Sequence, residues 1–131
     1  MSDTEIKDDR RYTNDHEWAL TEGKNVRVGI SAFAVSQLGD VTLVSLDVNP
    51  GQNIDAGKAF GTIESVKTLS DLFAPVSGTV VEVNGALEDR PELVNEDCYG
   101  KGWMVVIEAT SPGDSLLDAA AYREVVAQAD H

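Results

Sequence analysis

Between Asp40 and Glu108 the chain is cut into short β-branched and apolar runs by glycine and proline. The runs are "VTLVSLDV", "AFGTIESV", "GTVVEVN" and "WMVVIEA", and the breaks are Pro50-Gly51, Pro75, Ser77-Gly78 and Gly100–Gly102. β-branched side chains are stiff and pack well on a pleated surface, so each run reads as a strand. Short strands at fairly regular spacing, separated by turn residues, predict a sandwich or barrel.

The runs also echo one another. "GDVTLVSL" followed by "FGTIE" is repeated in outline by "SGTVVEVN" followed by "MVVIE": a Gly-x-Val strand, a linker, then an apolar strand ending Ile-Glu. Two copies are too few for a solenoid, but they suit two interlocked halves with pseudo-two-fold symmetry. Between the halves lies "SVKTLS", which puts Lys67 at the joint, flanked by the strand-like segments Gly61–Val66 and Leu72–Val80. The other lysines sit elsewhere: Lys7 in a tail, Lys24 in a turn, Lys58 after a glycine and Lys101 in a glycine loop.

Ahead of this region, "HEWALTEGKNVRVGI" reads as a hairpin. Trp18 and Leu20 alternate with polar neighbours, Glu22-Gly23-Lys24-Asn25 is turn chemistry, and Val26, Val28 and Ile30 share a face. Ser31 can cap a short helix "AFAVSQL" that Gly39 stops. "LEDRPEL" predicts a turn of helix interrupted at Pro91. Near the end, Ser111-Pro112-Gly113-Asp114 has a capping pattern, and Asp118 can cap "AAAYREVV" with Ala121 and Val125 on one face. Residues 1–11 are polar and read as a flexible tail, leaving 12–131 as a single domain with a C-terminal helix.

Composition narrows the function. A chain of 131 residues with 42% hydrophobic and 25% charged content fits one globular domain. Ten basic against 23 acidic residues give a net charge of −13, which disfavours binding to nucleic acid or to an anionic membrane surface. Such a field favours encounter with basic patches on partner proteins; a solvated acidic surface with no partner explains the charge equally well. No run approaches the ~18 apolar residues of a membrane span. Cys98 is the only cysteine, so no internal disulfide is expected. "MSDTEIKDDRRY" lacks an apolar core or transit-peptide character, and a cytoplasmic location is expected.

Catalytic machinery is scarce. His16 and His131 are the only histidines. A Cys98–His16 dyad is a weak candidate beside a partly buried, inert thiol. A metal site would need His16 with Asp15 or Glu17, yet adjacent residues on a strand face opposite ways. The glycines stand singly at turns, without a phosphate-binding pattern. Lys67 remains: either an exposed lysine on a hairpin tip, or a covalent attachment point. A group that must visit other active sites belongs on a protruding, rigid turn.

Several stretches together carry a family resemblance: "YTNDHEW", "VGIS" with "QLGDV", "GTIESVKTLSDLFAPVSGTVVEVN", "LEDRPELVNEDCYGKGWM" and "LLDAAAY". In this order they resemble the H proteins of the glycine cleavage system. The resemblance implies a mainly β fold, a lipoyl/biotinyl-type flattened barrel-sandwich hybrid of two antiparallel sheets with short helices and a C-terminal helix. It implies lipoate attached covalently to the ε-amine of Lys67, and no catalysis by the carrier itself. It implies four partners: a pyridoxal-phosphate glycine decarboxylase, a tetrahydrofolate-dependent aminomethyltransferase, a flavin-dependent dihydrolipoamide dehydrogenase, and lipoylating enzymes. A monomer is expected of such a shuttle. Glu17 and Asp71 align with acidic residues that face the loaded arm in the family. Biotin carriers place methionines on both sides of their lysine, and Val66-Lys67-Thr68 departs from that. Cys98, and Ala32-Phe33 where a polar pair is frequent, depart from the family's usual choices. Two alternatives stay open: a lipoyl carrier or lipoate donor for another pathway, and an unmodified binding module.

Overall fold

The computed structural model describes residues 5–110 and 116–129. Among the described residues nine strands form: β1 (Arg11–Tyr12), β2 (Glu17–Glu22), β3 (Asn25–Ile30), β4 (Val41–Leu46), β5 (Asn53–Ile54), β6 (Ala59–Ser65), β7 (Leu69–Phe73), β8 (Gly78–Val83) and β9 (Val105–Ala109). They make two antiparallel sheets, one in the order β1-β2-β3-β9-β8-β5 and one in the order β4-β6-β7. The helices among the described residues are α1 (Ala32–Leu38), α2 (Ala86–Asp89), α3 (Leu93–Glu96) and α4 (Ala119–Ala129). This is the mainly β, two-sheet architecture with a C-terminal helix that the sequence predicts.

The echoing runs pair with each other, β4 with β6 in the small sheet and β8 with β9 in the large one. Residues Pro75–Ser77 carry the chain from one sheet to the other. One boundary differs from expectation. The strand after Lys67 begins at Leu69 rather than Leu72, because Glu64 pairs with Leu69 and Ile63 with Ser70. The tip is therefore only Val66-Lys67-Thr68.

The inner faces of both sheets close on Val28, Ile30, Val44, Phe60, Ile63, Leu72, Val80 and Ile107, all buried. A second cluster covers the outer face of the large sheet: Tyr12, Trp18, Phe33, Ala119, Tyr122 and Val126. Each fully buried aliphatic or aromatic side chain contributes about 1.5–3 kcal/mol. Because both faces are covered, β2 does not alternate apolar with solvated residues as read from its sequence. Trp18 faces the outer cluster and Ala19 the inner one, so Glu17, on the same face as Ala19, points between the sheets. The close fit of the outer layer depends on Gly29, where an added Cβ would lie 2.6 Å from the Trp18 ring.

Local signals explain the helices. The Ser31 side chain accepts from the Ala34 N–H at the start of α1, and the Gly39 N–H donates to the Val35 carbonyl at its end. α2 and α3 lie on either side of Pro91, as its helix-breaking ring requires. Asp118 accepts from the Ala121 N–H at 2.8 Å and caps α4. The buried face of α4 is Ala119, Tyr122 and Val126; Ala121 and Val125, read as lying on one face, are both partly covered beside it. The outer cluster set that rotation, chiefly through the Tyr12–Tyr122 stack. The predicted Ser111–Asp114 capping pattern lies outside the described residues. At the other end, residues 5–11 lie against the same layer. Arg10 is buried, its guanidinium 4.6 Å from the Trp18 ring and ion-paired with Asp9 at 2.8 Å.

Candidate functional site

Lys67 stands at the end of the small sheet, exposed, at the tip joining β6 to β7. The tip is short and tied from below. The Ser65 N–H donates to the Thr68 carbonyl at 2.8 Å, while the Ser65 hydroxyl accepts from the peptide N–H groups of Lys67 (3.1 Å) and Thr68 (3.2 Å). The Val66 N–H donates to the Asp40 carbonyl at 3.0 Å. Asn95 in α3 braces that segment, accepting from the Val41 N–H and donating to the Gly39 carbonyl, both at 2.9 Å. Gly39 has φ 77°, a conformation glycine takes without a steric cost, and a Cβ there would meet Lys67 Cε at 3.5 Å. The result is an exposed side chain on a fixed backbone.

A cleft of about 270 Å³ opens beside the tip. Its floor is apolar, with Ile30, Leu38, Ile63 and Leu72; Thr68 and Ser70 bring the Lys67 hairpin to its edge. Asp15, Glu17 and Asp71 line it as well, and the lining contains no lysine or arginine. A polar extension bounded by Asn14, Asp15, His16, Ser70, Asp71 and Phe73 adjoins it. Glu17 and Asp71, singled out from the sequence, thus come together on one cleft next to Lys67. Asp71 is exposed on β7; Glu17 is only 2% exposed.

Glu17 is a buried acid in a specific clamp. The Thr13 hydroxyl donates to one carboxyl oxygen at 2.6 Å, and the Phe73 N–H on β7 donates to the other at 3.2 Å. It therefore ties the large sheet to an edge strand of the small one. Burial outweighs those two donors and pushes the Glu17 carboxyl up to about 7, against an ordinary 4.5.

His16 has a left-handed backbone (φ 74°), and its Nδ1 lies 2.8 Å from the Tyr122 hydroxyl. Burial lowers its pKa. Cys98 is half-buried, and burial pushes its thiol up to about 11, away from the reactive thiolate. Its neighbourhood is structural: the Trp18 indole N–H donates to the Cys98 carbonyl at 3.0 Å. Among the described residues no cluster of three or more His, Cys, Asp or Glu could hold a metal ion, and no helix is long and apolar enough to cross a membrane.

The sequence profile described as glycine cleavage H-protein matches residues 10–129. The chain belongs to the glycine cleavage H-protein family. A glycine cleavage system H protein of Anaeromyxobacter sp. (strain K) is 51% identical over 124 residues, covering 93% of this chain and 96% of that protein. One from Geobacillus kaustophilus is 51% identical over 118 residues, covering 88% and 92% respectively. The crystal structure of a glycine cleavage system H protein from Mycobacterium marinum superposes with a TM-score of 0.83 at 42% identity, covering 96% of this chain and 100% of that one.

Sequence reasoning about this H-protein chain missed the cleft lining from α1, namely Ala34, Gln37 and Leu38, and the part played by Asn95. A retrospective signal exists for Asn95. It opens the "NEDCYG" stretch, and a polar residue at the end of a short helix is available to bond a neighbouring strand. The α1 contribution had none, because it depends on how the helix seats against the sheet edge.

Proposed function

We propose that this chain is the lipoyl-bearing shuttle of the glycine cleavage system, with lipoate attached through an amide to Lys67. The observation that carries the reading is the placement of an exposed lysine, on a backbone held by four hydrogen bonds, at the edge of an apolar-floored and acid-lined cleft. Acylation removes the ammonium charge of Lys67, so an aliphatic arm on that nitrogen gains by lying on Ile30, Leu38, Ile63 and Leu72. The cleft volume is close to the lower bound of about 300 Å³ for small-molecule sites.

When bound, the dithiolane supplies a disulfide that accepts a one-carbon unit and two electrons. The chain's own residues would bind and shield. An aminomethyl cargo carries an ammonium, and Glu17 and Asp71 would hold it while the apolar floor keeps water away. Glu17 suits this in a particular way: with its carboxyl near 7, a cation arriving in the cleft favours the ionised form and displaces its proton. The attraction is therefore strongest for the loaded arm. The partners this implies are the pyridoxal-phosphate decarboxylase, the tetrahydrofolate-dependent aminomethyltransferase, the dihydrolipoamide dehydrogenase and the lipoylating enzymes. The chain itself acts as a monomeric carrier in the cytoplasm.

Reconstituted glycine–bicarbonate exchange with the decarboxylase tests this. The lipoate-loaded wild-type chain should support incorporation of labelled bicarbonate into glycine, and Lys67→Arg should not. A loaded wild-type chain that supports no exchange would move it to another lipoyl-dependent route.

A further inference from the structure

Tyr122 lies on α4, fully buried, outside the cleft. Its ring stacks on Tyr12 with centroids 4.3 Å apart and planes 2° from parallel. Its hydroxyl has two partners, His16 Nδ1 at 2.8 Å and Ser31 Oγ at 2.7 Å. These belong to different walls of the cleft. His16 and Asp15 line it from the loop before β2 and Glu17 from the first position of β2, while Ser31 caps α1, which supplies Ala34, Gln37 and Leu38. The walls are also joined directly, since the Ser31 N–H donates to the His16 carbonyl at 2.9 Å.

Proton counting gives the network a direction. The Ser31 hydroxyl oxygen already accepts from the Ala34 N–H at 3.2 Å. If Ser31 donates to the Tyr122 oxygen, and Tyr122 donates to His16 Nδ1, both hydroxyl protons are used. The reverse direction leaves the Ser31 proton without an acceptor among the described residues. The first arrangement makes His16 a neutral imidazole with its proton on Nε2. Burial, which lowers the His16 pKa, agrees with the neutral form. A left-handed residue such as His16 persists only where its surroundings hold it, and Tyr122 is one such holder.

We infer that Tyr122 is a positioning residue for the cleft: through one hydroxyl, the C-terminal helix fixes the His16 loop and the start of α1 relative to each other. It acts without touching an arm in the cleft. The nature of that arm rests on the lipoyl reading above; the hydrogen-bond node does not. The Lys67 tip is tied through Ser65, Asp40 and Asn95 instead, so attachment and shelter are separately supported.

The test is Tyr122→Phe, which removes the hydroxyl and keeps the ring stack. On the unmodified full chain, nitrogen NMR of His16 should show the Nε2–H tautomer in wild type and a mixture of tautomers in the variant. Amide shifts should move on both walls, residues 13–17 and 31–38. On the lipoylated chain loaded with an aminomethyl group, the adduct lifetime should shorten about two- to tenfold, the range one net hydrogen bond gives. The rate of lipoylation should stay unchanged. His16→Asn, which tolerates the left-handed backbone, approaches the node from its other end and should shift the amides of 31–38; it serves where Tyr122→Phe does not fold. An unchanged His16 tautomer with still amides on either wall overturns the inference, as does a lipoylation rate that falls in step with adduct lifetime. A wild-type chain that accepts no lipoyl group refutes the lipoyl reading instead, and the nitrogen spectrum then still decides the role of Tyr122.

Discussion

The hairpin tip that carries Lys67 and the cleft beside it are built in opposite ways. The tip is three exposed residues, held by main-chain groups and one serine from the adjoining strand. The cleft floor is buried, and its polar groups come from distant parts of the chain: Glu17 reaches Phe73 across 56 positions, and His16 reaches Tyr122 across 106. An attachment point needs reach on a rigid mount, which a tight turn supplies locally. A shelter for a reactive cargo needs apolar walls with a few placed charges, and those require the tertiary fold. One region can therefore be damaged while the other is spared.

The largest separation is expected from Lys67→Arg. It should abolish lipoylation and all carriage of an aminomethyl group, yet shift the melting temperature by no more than about a degree, since exposed substitutions cost little stability. A large loss of stability would mean that Lys67 supports the fold.

Next comes Glu17→Gln combined with Asp71→Asn, which attacks the cleft alone. Hydrogen bonds to charged groups contribute about 1.5–3 kcal/mol each, so with both removed loss of the aminomethyl group should speed up by about 100- to 10,000-fold. Lipoylation of Lys67 should proceed at the wild-type rate. An unaltered adduct lifetime would remove both acids from the proposed role.

Smaller, and readable without any cofactor, is a pH effect. Glu17 is held near 7 in the fold against 4.5 when exposed. A carboxyl raised by folding adds stability below about 4.5 and loses it as pH climbs through about 7. The loss should be about 3–4 kcal/mol, since one pKa unit corresponds to about 1.4 kcal/mol. Denaturant titrations from pH 4.5 to 7.5 should show wild type losing more stability than Glu17→Gln. Parallel curves for the two proteins would show that Glu17 is not an isolated buried acid.

The smallest effect is expected at the base of the tip. Ser65→Ala removes the acceptor for the Lys67 and Thr68 N–H groups, worth about 1 kcal/mol in a partly exposed turn. Lipoylation should slow about fivefold in a kinetic assay while the lifetime of a loaded arm stays the same. A change in lifetime instead would erase the distinction between the two regions.

The same contrast explains what the sequence revealed. The four main strands, the Ser31–Gly39 helix, the breaks at Pro91 and the Lys67 joint were legible because turn chemistry and β-branched runs act locally. The family motifs added Glu17 and Asp71 as acids near an arm. The burial of Glu17 was hidden, because "HEWAL" looks like simple alternation until both faces of its sheet are covered. The register of α4 was hidden for the same reason: the Tyr12–Tyr122 stack, and not spacing within the helix, decides which residues face inward. The start of β7 at Leu69 was hidden by the polar look of "TLSD", whose pairing with β6 depends on the partner strand.

The central claim is that Lys67 bears a lipoyl group. Peptide mass spectrometry of the chain isolated from its native source under lipoate-replete growth tests it most directly. A lipoyl-sized increment should be confined to the peptide containing Lys67 and absent from Lys67→Arg. A bare Lys67 under those conditions, or an increment that survives the substitution, would contradict it.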